Sequence, residues 1–65
     1  MNNQTLFIQF MGEAMPHVQP NSPYWKTMKE RFNRGFLYVL GRLDYNHRHH
    51  LLKIVSGHFL PLNQQ

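Results

Sequence analysis

Seven apolar residues behind a Ser–Pro pair constrain this chain more than any other feature. Trp25, Met28, Phe32, Phe36, Val39, Leu40 and Leu43 follow Ser22–Pro23 at steps of three and four. At about 100° per residue they form one stripe, as in a helix that turns a single face to a core. Ser22 can cap an orphan N–H of the first turn, and proline at the first helical position gives up no donor that the helix needs. Glu30 and Arg34 add a favourable pair one turn apart. The spacing predicts one long helix over residues 23–42. Gly35 lies at the edge of the stripe, where it either lets a partner helix approach or marks a bend.

The other segments arrange themselves around that helix. Leu6, Phe7, Phe10, Met11 and Ala14 keep helical spacing, with Asn2 or Asn3 as the N-cap. Read as a strand, Thr5–Phe10 alternates poorly, because Phe7 falls on the polar side. Gly12 would cost a helix about 1 kcal/mol relative to alanine. A helix over 3–14 is preferred to the strand. Pro16 and Pro20 make residues 16–22 a loop. Gly41 ends the long helix, and Asp44 or Asn46 caps a third one over 46–57, which carries Leu51, Leu52, Ile54 and Val55 and has Gly57 as its C-terminal cap. The expected fold is mainly α: a small three-helix domain spanning 1–65, with the long central helix as its spine and residues 1–2 and 63–65 frayed.

Size limits what such a domain can do alone. A chain of 65 residues buries only about 60% of its unfolded surface. With no cysteine, it has neither disulfides nor thiolate metal ligands to compensate, so a homodimer or a chain completed by a larger partner is expected. The N-terminal residues lack the basic start and long apolar run of a signal peptide, and no window reaches the apolar length of a membrane span. A cytoplasmic protein is the expectation. Stand-alone chains of this size suit accessory factors, such as those of phages and mobile elements.

The sequence pI of about 10.0 overstates the basicity. Lys and Arg together number seven, but Asp and Glu only three. Charged residues make up 15% of the chain, against about 25% in average domains, so the excess comes from missing acids. That weakens the step from pI to nucleic acid. All seven cations nevertheless fall between Lys26 and Lys53, which makes the middle locally basic.

No catalytic or cofactor motif stands out, and no cofactor is expected. Four residues of the long helix, Tyr24, Arg31, Tyr38 and Arg42, fall within about 40° of one another and off the apolar stripe. Tyrosine and arginine offer area together with directed hydrogen bonds, which suits a protein interface. They also suit nucleic acid, through phosphate contacts and base stacking. Lys26, Arg34, Arg48 and Lys53 are the accompanying phosphate-contact candidates. The competing explanation is a solvated face.

His47, His49 and His50 cluster in sequence. His47 and His50, one turn apart, with His58 on the same side, are weak metal candidates, since zinc wants three or four ligands and no cysteine is present. The enzyme alternative is a metal-independent RNase, with histidines as acid and base and Asp44 orienting His47. Any His-rich basic segment would look the same. A helix-turn-helix with Gly41 in its turn fits poorly, because Arg42 follows and the core positions would be His47 and His50. A ribbon-helix-helix fits poorly too, because Thr5–Phe10 carries no cation. Membrane binding is disfavoured, because a chain this small needs its apolar stripe for its own core. The expected function is therefore a non-enzymatic binding protein, a regulator or inhibitor that docks on a larger protein or nucleoprotein. The alternative is a DNA- or RNA-binding regulator.

Overall fold

The computed structural model describes residues 2–59, without the side chains of His58 and Phe59. Four helices follow in order: α1 (Asn3–Ala14), α2 (Pro23–Asn33), α3 (Phe36–Leu40) and α4 (Tyr45–Phe59). The mainly α fold and the helical N-terminus agree with the sequence reading. Among the described residues, no helix is long and apolar enough to cross a membrane.

The capping chemistry is as the sequence indicates. The Asn2 side chain accepts from the Thr5 N–H at 2.7 Å, so Asn2, expected to fray, is instead the N-cap of α1. Ser22 Oγ accepts from the Trp25 N–H at 3.3 Å, with Pro23 opening α2. Asp44 Oδ1 accepts from the His47 N–H at 2.8 Å and caps α4. The expected fraying of Met1 and of residues 63–65 falls outside the described residues.

The long central helix is the main correction. It stops at Asn33, and Gly35 takes φ 125° and ψ 160° before α3 begins. That region of backbone space is essentially closed to residues with a Cβ. Glycine is thus present for its backbone freedom, and of the two sequence readings the bend holds. Gly35 then serves as the N-cap of α3, its carbonyl accepting from the Val39 N–H at 3.1 Å. Gly57 differs as well: α4 runs through it to Phe59, so it is not a C-terminal cap.

With the middle helix broken, α1 becomes the spine. Its Phe7 ring meets Trp25 and Phe32 at centroid distances of 5.0 and 5.4 Å, and Phe10 meets Phe32 at 5.6 Å. On its other flank Phe10 faces the rings of His47 and His50 of α4. Leu6, Met11 and Met15 from α1 and its C-cap join Met28, Val39, Leu43, Leu51 and Ile54 to complete the buried core, which holds no polar side chain among the described residues. The apolar stripe thus serves as a core face, and Trp25, Phe36 and Leu40 pack at its margin.

Arg48 closes the corner between α3 and α4. Its guanidinium donates to the Leu43 carbonyl at 3.1 Å and to the Leu40 carbonyl at 3.4 Å. Leu40 ends α3 and Leu43 lies in the turn after it, so the cation sits where the last carbonyls of a helix favour positive charge.

Candidate functional site

The bend at Gly35 separates the four residues that a continuous helix would align. Tyr24 and Arg31 lie on α2, Tyr38 on α3, and Arg42 in the turn after it. Tyr24 is 47% exposed, and its side chain has no hydrogen bond or ring contact among the described residues. Arg31 is half-buried, with its guanidinium against Met28 Sδ at 3.8 Å. Only Tyr38 and Arg42 come together, the Arg42 guanidinium carbon lying 3.8 Å from the centre of the phenol ring.

A second arginine completes the cluster. Arg34, placed by the sequence among the phosphate-contact candidates, approaches the same ring at 5.0 Å and donates from Nη1 to the Tyr38 hydroxyl at 3.3 Å. Its Nη2 reaches Glu30 Oε2 at 3.4 Å. Two guanidiniums therefore converge on one phenol, and among the described residues only Arg34 has a carboxylate partner. Stacking uses the flat side of a guanidinium and leaves N–H edges available to a ligand. Leu37, next to Tyr38 in the chain, is 79% exposed. The signal for Arg34 was present in the sequence, since it stands one turn from both Glu30 and Tyr38; the wheel missed it by counting only one face.

Of the other phosphate candidates, Lys26 and Lys53 are exposed, whereas Arg48 is engaged by the Leu40 and Leu43 carbonyls. Lys53 lies in a separate cleft of about 410 Å³ between α1 and α4, together with Gln9, Glu13, His50 and Ile54.

The histidines form two carboxylate pairs beside Phe10. His47 Nδ1 is 3.1 Å from Asp44 Oδ2, and His50 Nε2 is 2.9 Å from Glu13 Oε1. Both rings stand edge-on to Phe10, with centroids 6.2 and 6.0 Å away. The Asp44–His47 pairing is local and was readable from spacing. The Glu13–His50 pairing joins residues far apart in the chain, and no local pattern signals it. Among the described residues no group of three or more His, Cys, Asp or Glu side chains is placed to hold a metal ion. The side chain of His58, the third weak metal candidate, lies outside the described residues.

Both carboxylates are held below their usual pKa values. For Glu13 the main cause is the hydrogen bond from His50, followed by that from the Gln9 amide; desolvation opposes them, and the charges of His50 and Lys53 add smaller pulls. For Asp44 the main cause is the backbone N–H of His47. A carboxyl whose folded pKa is depressed stabilises the fold above its unfolded pKa and loses that contribution as pH falls through the folded value. The usual values are 4.5 for Glu13 and 3.8 for Asp44. The urea midpoint, followed by circular dichroism, is therefore expected to hold down to about pH 5 and to fall on further acidification. Glu13→Gln with Asp44→Asn should flatten that fall, since asparagine still caps a helix without titrating. An equally steep fall in the double variant would assign it to other groups.

No protein-family model, curated protein or solved structure matches the chain.

Proposed function

We propose that this chain is a non-enzymatic binding protein, a small regulator or inhibitor that docks on an acidic surface of a larger protein through Arg34, Tyr38 and Arg42. The supporting observation is the convergence of two guanidiniums on one phenol, with Arg42 lacking any carboxylate partner among the described residues. An arginine held against a ring has already lost much of its rotamer freedom, so less is lost when a partner carboxylate binds it. Leu37, the chain neighbour of Tyr38, is left 79% exposed, and an exposed apolar side chain near the cluster in sequence suits a protein partner better than naked nucleic acid.

The nucleic-acid reading has an observation of its own. Tyr45 and His49 stack on the exposed side of α4 with their planes 13° apart. Such a pair gives a base a flat surface, while Arg34 and Arg42 can take phosphate.

The experiment is capture of a partner from lysate on the immobilised chain, with and without nuclease, by wild type and by Arg34→Ala/Arg42→Ala. A protein retained after nuclease and held about tenfold more weakly by the double variant is the expected result. Loss on nuclease, with affinity falling by about 0.9 log units per log unit of salt for each phosphate contact, would transfer the function to nucleic acid. Undiminished capture by the double variant would rule out the arginine cluster as the contact.

A further inference from the structure

We infer that an apolar cleft on the far side of α1 receives an apolar side chain from an acidic segment of a protein partner. The cleft has a volume of about 320 Å³ and is walled by Ile8, Met11, Met15, Val18 and Trp25, with Gly12 among its lining residues. It involves none of the residues of the Arg34–Tyr38–Arg42 cluster, so the inference stands whether or not that cluster is a contact.

Three observations identify the occupant. The first is Gly12. It sits inside α1, where glycine costs about 0.5–1 kcal/mol relative to alanine, and a Cβ placed on it would meet nothing within 4 Å. Among the described residues no neighbour requires a glycine there. A glycine lining a cleft lets an incoming group approach the helix backbone closely. The second is the lining. Ile8 is left 55% exposed, and two methionines, whose side chains adapt to varied shapes, line the cleft together with a tryptophan. An aliphatic or aromatic side chain fits such walls.

The third is charge. The chain has only three acidic side chains, and each is engaged internally: Glu13 with His50, Glu30 with Arg34, and Asp44 with His47. Glu13 follows Gly12 directly but is turned to α4. The tryptophan that lines the cleft has one cation against its ring and another next to it in the chain. Lys29 Nζ lies 5.5 Å from the centre of the Trp25 ring, and Lys26 is exposed with no partner among the described residues. A partner that brings carboxylates beside its apolar anchor is complementary to this rim, and a basic one is repelled.

A displayed library of random dodecapeptides, selected on the wild-type chain and counter-selected on Gly12→Leu, tests the proposal. Leucine at position 12 fills the cleft, and the open space there together with its higher helix propensity should leave the fold intact, as a thermal melt will verify. The expected survivors combine acidic residues with a recurrent aliphatic or aromatic position. Synthesised singly, they should bind about tenfold more weakly to Lys26→Glu/Lys29→Glu and to Gly12→Leu. In an amide spectrum of the wild-type protein they should shift Ile8, Gly12 and the Trp25 indole. Survivors without acids would overturn the stated partner class. The absence of any binder that Gly12→Leu rejects would overturn the site, as would shifts confined to other faces. Stronger retention of an oligonucleotide than of any peptide at the same residues would assign the cleft to nucleic acid instead.

Discussion

Phe10→Ala is expected to remove about 3–5 kcal/mol of stability, the range for truncating a fully buried phenylalanine. A domain of this length has roughly 3–10 kcal/mol in total, so the variant should be largely unfolded or melt far below wild type. Phe10 is 0% exposed, and its ring is shared by three helices. It meets Phe32 of α2 at 5.6 Å, and His47 and His50 of α4 at 6.2 and 6.0 Å. Its removal would leave a cavity at the junction of α1, α2 and α4, where no single neighbour can collapse to fill it. The two histidine–carboxylate pairs beside the ring would lose their common backing. Ile8→Ala, two residues earlier but 55% exposed, should change stability by no more than about 0.5 kcal/mol. Urea unfolding of the two variants by circular dichroism makes the comparison. A loss below about 1 kcal/mol for Phe10→Ala would mean that the core is not organised around α1.

The parts of the fold that sequence could reveal are those set by neighbours within one turn. The caps at Asn2, Ser22 and Asp44 depend on a side chain three residues from the N–H it accepts; Ser22 was readable outright, and Asn2 and Asp44 each as one of two candidates. The apolar periodicity correctly identified the inward faces of α1 and of the segment from Trp25 to Leu43. The direction of the chain after Arg34 was not readable. Gly35 fits an unbroken helical pattern equally well, because periodicity counts residues and is blind to the φ angle of one of them. The same error joined Tyr24 and Arg31 to Tyr38 and Arg42. Arg34 was undervalued because it lies beside the one face that was counted, although it stands one turn from both Glu30 and Tyr38. The Glu13–His50 pair and the Gly12 cleft depend on how α1 docks, and no spacing rule carries that information.

Gly35→Ala separates the two architectures. At φ 125° and ψ 160° an L-residue is strained by about 3 kcal/mol, the upper end of the range for sparsely populated backbone regions. A Cβ at this position would meet nothing within 4 Å, so the penalty arises in the backbone and not from a clash. Alanine can relieve it only by turning helical. That would straighten α2 and α3 into one rod and carry Val39 and Leu43, 0% and 6% exposed, away from the rest of the core. The expected result is a loss of about 3 kcal/mol in urea unfolding. D-alanine at position 35, introduced by chemical synthesis, supplies the matching control. Its mirror-image β region covers φ 125° and ends about 20° short of ψ 160°, so most of the strain is relieved and stability should stay close to that of wild type. Equal stability of the L-alanine and wild-type proteins would mean that the continuous helix is accessible at no cost. Tyr24, Arg31, Tyr38 and Arg42 would then return to one face. With the penalty present, the bend holds Tyr38 and Arg42 apart from Tyr24, and the surface offered to a partner is the compact Arg34–Tyr38–Arg42 cluster instead of a stripe along one long helix.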